Sequence, residues 1–377
     1  MPVYYSEEQL MVKNMVRDLA HNEFAEKAGE VDQLGIFPWD NIKLMAEHGL
    51  LGINIPEKYS GAGSDTVSHV LAIEEVARVC ASTSVVLTTQ ALVLAPLMIA
   101  GTEEQKQKYV TPMARGDVLG SFCLTEPGAG SDAGSIKTLA VRDGDNYVIN
   151  GQKCFITNAG ESEIYVVVAK TDKDKGHRGI SLFVVEKGTP GLTFGKKEDK
   201  MGIRGSVTRE VIFENCCVPK ENLLGEENMG FRILMQTLDH TRTGVGAQAL
   251  GIAQGALDAA VKYAGERVQF GNTLNSFQTI QVMLADMATQ VEAARLLVHQ
   301  AAYDLDEGKD ITRISSMAKL CASDVAMQVT TDAVQVLGGY GYIKEYPVER
   351  MMRDAKITQI YEGTNQVQRL VIAKTLF

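Results

Sequence analysis

Helices at both ends and an antiparallel β domain between them form the architecture that this chain predicts. Two observations carry it. Apolar residues follow a helical period over residues 1–118 and again over 228–377. Residues 119–227 instead hold short runs rich in β-branched and aromatic residues, with no helical stretch between them. Consecutive strands of that kind argue for antiparallel pairing. With 377 residues and 45% hydrophobic content, the chain can bury a sizeable core, and its length suits two or three domains.

In the first part, Ser6 with Gln9 has the capping-box signature, and Met11, Met15 and Leu19 mark one face of the helix that follows. Residues 38–50 predict a second helix, ended near Gly49 and Gly52. Residues 65–80 predict a third, and 102–113 a fourth with a charged outer face. The most apolar run, 85–100, contains Thr88, Thr89, Gln90 and Pro96. It is too short to span a bilayer and reads as a buried helix at a cavity. In the middle part, Asn150-Gly151 lies between two strand-like runs over 146–158 and predicts a type I′ hairpin turn. Further strands are expected at 164–171, 180–186, 192–195 and 209–213. In the last part, residues 246–264 are rich in Ala and Gly, with Gly251 and Gly255 four apart. Asp258 and Lys262 interrupt that stretch, so it reads as close packing in a helix bundle rather than a membrane helix pair.

Composition narrows the function. With 37 basic and 47 acidic residues, the net charge is −10, which gives no bulk attraction to nucleic acid or anionic membrane. The six cysteines form no C-x-x-C pair, so neither a metal site nor a disulfide framework is expected, and a reducing compartment fits best. The six histidines show no metal spacing, and no Ser-His-Asp arrangement stands out. Residues 1–9 are polar and carry acids, unlike a signal peptide; a cytoplasmic location is expected.

The candidate chemistry gathers in a few places. Glu362 lies between Tyr361 and Gly363, just before Thr364 or Asn365 caps a helix. A loop carboxylate beside a glycine can be approached closely and suits a general base. Residues 126–135 read Glu-Pro-Gly-Ala-Gly-Ser-Asp-Ala-Gly-Ser. These glycines lead into strands, not a helix, so a Rossmann site is improbable; the loop can still offer N–H groups to a phosphate. Phe155 and Thr157 sit at a strand end, where a ring can cover a flat heterocycle and a hydroxyl can donate to it. Arg267 precedes a turn at Phe270-Gly271, with Gln278 downstream. Gln335, Gly338 and Gly339 form a second glycine cluster, and Asp239 and Arg242 share a helix face.

Taken together, these residues resemble the acyl-CoA dehydrogenase family over essentially the whole chain. The resemblance rests on ordered motifs: Leu-Thr-Glu-Pro-Gly-Ala-Gly-Ser at 124–131, Phe-Ile-Thr-Asn at 155–158 and Arg-Val-Gln-Phe-Gly at 267–271. Gln-Val-Leu-Gly-Gly at 335–339, Arg-Asp-Ala-Lys at 353–356 and Ile-Tyr-Glu-Gly-Thr at 360–364 complete the set. It implies a four-helix-bundle C-terminal domain and FAD between that bundle and the β domain. Phe122, Leu124, Thr125, Gly130, Ser131, Phe155 and Thr157 would contact the flavin and its phosphates. Arg267, Phe270, Gln278, Gln335, Gly338 and Gly339 would hold the FAD of a neighbouring subunit, and Thr364 and Gln366 would complete the site. Ser131, Asp239, Thr241, Arg242, Tyr361 and Gly363 would contact the acyl-CoA, with Gln90, Leu94 and Pro96 shaping the acyl cavity. A homotetramer, a dimer of dimers, and electron-transfer flavoprotein as partner are implied too.

By the same resemblance, Glu362 would remove the α-proton while flavin N5 takes the β-hydride. Some members carry the base on the helix of Asp239 and Arg242; the equivalent here is Thr241, which cannot serve. A carboxylate-binding arginine is absent from Thr83, Ser84 and Val85, which disfavours a dicarboxylyl substrate. The sequence is similar to short-chain and butyryl-CoA dehydrogenases, some of which run as enoyl-CoA reductases. Thr241 and Thr243 depart from that pattern and keep a branched, cyclic or aryl-propionyl group open. An acyl-CoA oxidase and a non-catalytic acyl-CoA-binding scaffold are the remaining alternatives.

Overall fold

The computed structural model describes residues 5–377, so the expectation for residues 1–9 lies partly outside the described residues. The N-terminal part holds α1 (Glu7–Leu19), α2 (Ala28–Leu34), α3 (Trp39–Glu47), α4 (Thr66–Ala77) and α5 (Ala81–Ala100). Short α6 (Glu103–Gln105) and α7 (Thr111–Arg115) follow, joined by a π-helical turn at Lys106–Val110. Side chains start these helices as the sequence indicates. Ser6 and Gln9 close a reciprocal capping box on α1, Thr102 and Gln105 repeat it on α6, and Asp65 caps α4. The inward face of α1 differs from expectation: Met11 is exposed, whereas Val16 and Leu19 are buried. α5 begins at Ala81, earlier than expected, and by length and composition alone it could cross a membrane. Most of it is buried inside the protein, as suits a core helix.

The middle part is a sheet of β1 (Gly120–Cys123), β2 (Leu139–Asp143), β3 (Asn146–Thr157), β4 (Ile164–Lys170), β5 (Ile180–Glu186), β6 (Leu192–Lys197), β7 (Thr208–Pro219) and β8 (Leu223–Leu224). The strand order is β6-β7-β3-β2-β4-β5-β8, with β1 beside β4. Pairing is antiparallel except where β4 meets β1 and β2. The hairpin expected at Asn150-Gly151 is elsewhere. β3 runs straight through that dipeptide, and the β2–β3 turn is Gly144-Asp145 between the paired Asp143 and Asn146. Gly151 marks a register shift against β7, where a Cβ would lie 2.4 Å from Thr138 Oγ1. A glycine is therefore required there for close approach, not for a turn.

The C-terminal part is α8 (Gly230–Glu266), a small β9 (Val268–Gln269) and β10 (Asn272–Thr273) ribbon, α9 (Gln278–Asp306), α10 (Thr312–Leu337), α11 (Val348–Thr358) and α12 (Asn365–Lys374). The β9–β10 turn, Phe270-Gly271, has positive φ at both residues (50° and 78°), as a type I′ turn requires. α8 packs against α10, α9 and α11, and also against α4 and α5 of the first part. Gly251 and Gly255 make the approach to α4 possible. A Cβ on either would come within 2.3 Å and 2.1 Å of the Glu74 and Arg78 carbonyl oxygens. Arg353 on α11 ties the parts together. It pairs with Asp32 at 2.6 Å and with Glu349 at 2.8 Å, and donates to the Met201 carbonyl.

Candidate active site

α11 ends at Thr358, and α12 starts with Thr364, whose hydroxyl accepts from the Val367 N–H. Between them the chain reverses through Glu362 at φ 51° and Gly363 at φ 92°. A non-glycine residue in the left-handed region is uncommon and is held only by surroundings that fix it. Those surroundings are explicit. Gln368 donates to the Glu362 and Gly363 carbonyls at 3.2 Å and 2.9 Å. The buried Lys319 of α10 donates to the Gly363 carbonyl and to Asn365 Oδ1, both at 2.9 Å. Asn365 in turn donates to Ser323 and Asp324. Tyr361 donates to the Gln248 side-chain oxygen on α8. Among the described residues, no acceptor is found for the Glu362 N–H.

The Glu362 carboxylate faces α8. Thr241 donates to its Oε2 at 2.7 Å, and the same hydroxyl lies 3.1 Å from the Thr237 carbonyl. Burial pushes the Glu362 pKa up; the Thr241 hydroxyl and the charges of Arg242 and Lys319 offset this only in part. Burial brings Lys319 down to about 8 despite the nearby carboxylate. A carboxylate whose pKa is raised on such a loop takes up a proton more readily than an ordinary one, which is what a general base needs. Next to Thr241 on α8, the buried Arg242 pairs with Asp239 at 2.5 Å, and Thr312 donates to the other Asp239 oxygen. Arg242 Nε is buried without a partner among the described residues.

Thr241 also lines a cavity of about 380 Å³ between α4, α5 and α8. Thr88, Ala91, Leu94, Ala95, Met98 and Ile99 of α5 form one wall, a single face by helical spacing. Leu94 stands where the sequence indicates. Gln90 and Pro96 do not line this cavity. Gln90 is fully buried on another face of α5, donating to the Met113 and Val118 carbonyls and accepting from the Gly120 N–H at 3.1 Å. Both amide protons of this glutamine are spent on backbone carbonyls, which leaves it no donor for a ligand.

At the start of the glycine-rich loop, Glu126 binds the loop's far end. Its carboxylate accepts from the Lys137 and Thr138 N–H groups at 2.6 Å and 3.0 Å, and from the fully buried Lys153 at 2.8 Å. Lys153 also donates to the Leu124 carbonyl. Gly128, Gly130 and Ser131 are left exposed on the loop, and nothing lies within 4 Å of a Cβ built on either glycine. Beneath them, Phe122 and Thr157 lie on β1 and β3, and Leu124 and Thr125 follow β1. Phe155 is 68% exposed at φ 57°. Asn158 is fully buried at φ 61° with both side-chain polar atoms unpartnered among the described residues.

A second set lies at one end of the bundle. Arg267, Gly338, Gly339 and Tyr340 line a cavity of about 480 Å³, with the Arg267 guanidinium 5.3 Å from the Tyr340 ring centre. Phe270 is 92% exposed at the β9–β10 tip, and Gln278 and Gln335 are exposed on the helices beside it. Thr364 and Gln366 line a third cavity with Asp324 and Arg369. The bundle-end set shares no lining residue with the cavity at Thr241. Sequence reasoning missed Lys153, Lys319, Gln248 and Gln368. The Lys153 and Lys319 charges sit within apolar periodicity, which is the one local signal that they are buried and paired.

Three domain descriptions of one family match the chain: acyl-CoA dehydrogenase N-terminal domain over residues 6–117, middle domain over 121–216, and C-terminal domain over 228–377. The short-chain specific acyl-CoA dehydrogenase of Clostridium acetobutylicum is 51% identical over 371 residues, 98% of each chain. A solved chain from work on the electron transferring flavoprotein of Acidaminococcus fermentans, concerned with flavin-based electron bifurcation, is 54% identical with TM-score 0.99 over all of both chains. Butyryl-CoA dehydrogenase from Megasphaera elsdenii is 49% identical with TM-score 0.98, again over all of both chains. The chain therefore belongs to the acyl-CoA dehydrogenase family of flavin-dependent oxidoreductases, on its short-chain, butyryl-like side.

Proposed function

We propose that the protein is an FAD-dependent enzyme that converts a short, branched or cyclic acyl-CoA thioester to the 2-enoyl-CoA, with Glu362 as the base. The observation that carries this reading is the Glu362 carboxylate, on a positive-φ loop, bonded to Thr241, which itself lines a cavity walled partly by apolar α5 side chains. The residues present suit FAD. The exposed Phe155 ring offers a face to a flat heterocycle, Asn158 has unspent donors and acceptors, and the open glycines at 128 and 130 leave room for phosphates. When bound, FAD supplies the acceptor for the hydride leaving the β-carbon.

The remaining work falls to the chain. The buried Glu362 carboxylate takes the α-proton, its affinity for that proton raised by burial. The Thr241 hydroxyl holds Oε2 in place. The unspent Glu362 N–H can donate to the thioester oxygen as charge develops there. The unpartnered Arg242 Nε offers a donor to the CoA portion. The exposed Phe270 tip and the cavity of Arg267, Gly338 and Gly339 suit a neighbouring subunit's cofactor, hence a homotetramer.

Electron-transfer flavoprotein is the proposed electron partner. The likeness to the chain from the Acidaminococcus fermentans work favours a second direction, reduction of an enoyl-CoA with electrons from such a flavoprotein. Anaerobic titration of the oxidised holoenzyme with acyl-CoAs should bleach the flavin absorbance. No bleaching with any straight, branched or alicyclic thioester would overturn the reading. Assay with reduced electron-transfer flavoprotein and an enoyl-CoA decides the direction.

A further inference from the structure

The cavity beside Glu362 is more polar than a hydrocarbon chain requires. Its lining includes Asn54, His69, His240 and Thr243 besides the apolar wall of α5. Two of the threonine protons are spent on backbone: Thr88 donates to the Val85 carbonyl at 3.0 Å, and Thr243 to the His240 carbonyl at 2.9 Å. His69 differs. Its residue is only 8% exposed, it sits on the α4 wall, and the hydrogen bond found for it among the described residues is that of its backbone N–H to the Asp65 carbonyl, none from the ring. A buried imidazole carries one N–H and one bare nitrogen, and groups of this kind are ordinarily satisfied.

We propose that this cavity selects an acyl group bearing a neutral hydrogen-bonding substituent (hydroxyl, carbonyl or amide) beyond the reacting carbons, with His69 as its partner. A carboxylate is not the match, because no Lys or Arg lines the cavity. Burial also holds His69 down at about 4, so the ring is neutral under ordinary conditions and offers no counter-charge. The cavity volume of about 380 Å³ is room for on the order of ten non-hydrogen atoms at the volume of liquid water, more than a butyryl chain occupies. A site that hydrogen-bonds its substrate also disfavours the analogue lacking that group, since the protein's own group is then left unpaired.

This inference rests on the acyl-CoA reading of the cavity, and the test separates the two. Oxidised holoenzyme is titrated with butyryl-, pentanoyl- and hexanoyl-CoA and with their terminally hydroxylated counterparts. Flavin bleaching is one readout, and calorimetric binding of the matching non-reactive CoA thioethers is the other. At least one hydroxylated member should bind about tenfold more tightly than its plain counterpart. That preference should collapse toward parity in His69→Leu and survive in His69→Gln, which keeps an N–H donor. Should His69→Leu fail to fold, the wild-type preference together with its survival in His69→Gln decides. Bleaching by plain acyl-CoAs without any hydroxyl preference, or a preference unchanged in His69→Leu, overturns the inference and leaves the dehydrogenase reading standing. If no thioester bleaches the flavin or binds, both fall together.

Discussion

Two buried glutamates make an instructive pair. Glu74 on α4 meets α9: Arg295 donates to its Oε1 at 3.0 Å and 3.1 Å, and His299 Nε2 lies 3.3 Å from its Oε2. Burial alone pushes the Glu74 pKa up, but His299 and Arg295 outweigh that and bring it to about 2. Glu362 meets α8 with a hydroxyl in contact and its cations farther off, and its pKa ends raised. Burial is common to both. What separates them is whether a cation touches the carboxylate. The first arrangement locks an anion into the structure, and the second keeps a carboxylate able to take up a proton.

Substitutions should separate these roles. Glu362→Gln should lower the rate of flavin reduction by about 10³–10⁴-fold, in line with loss of a general base, while FAD content is kept. Its stability should move the other way. The raised folded pKa means that native protein binds more protons than unfolded protein, so stability falls as pH rises above the unfolded value. Removing that titration should leave the variant at least as stable as the parent at neutral pH. Equal rates in stopped-flow bleaching would remove Glu362 from the chemistry.

Glu74→Gln should do the opposite: cost about 3–5 kcal/mol in chemical denaturation, with the bleaching rate retained in the folded fraction. Because the Glu74 pKa is depressed, the parent has this contribution in full above the unfolded carboxylate value and loses it as pH falls toward about 2. A parent and variant with the same pH dependence of unfolding would contradict this. Gly251→Ala should cost about 1–3 kcal/mol, since the new methyl meets the Glu74 carbonyl oxygen and pushes α4 from α8. Thr241→Val removes a hydrogen bond to a charged group, worth roughly tenfold in rate at neutral pH. Without that donor the Glu362 pKa rises further, so the rising limb of the rate–pH profile should shift to higher pH. An unmoved limb would show that the Thr241 contact is incidental.

Much of this was legible in local sequence. Ser6, Asp65 and Thr102 announce helix starts because a cap acts within three residues. The carboxylate–glycine pair at 362–363 marks a reversal by its own chemistry. Legibility failed where a distant partner decides. Asn150-Gly151 reads as a turn until Thr138 and β7 are beside it, and Gln90 reads as a cavity residue until residues 113, 118 and 120 claim its amide. Met11 follows the right period but lies on the outer edge of its helix face. His69 carried no sequence signal at all, since only the packing of α4 against α5 and α8 places it at a cavity.

The contact between the Thr241 oxygen and the Glu362 carboxylate has an evolutionary consequence. Two segments of chain, far apart in order, deliver a side-chain tip to nearly one location. On the proposed role of Glu362, an acid arriving from the helix would reach the same station as the one on the loop. The fold thereby offers one position in space to two segments of chain, so that the donor segment could be traded without moving the carboxylate.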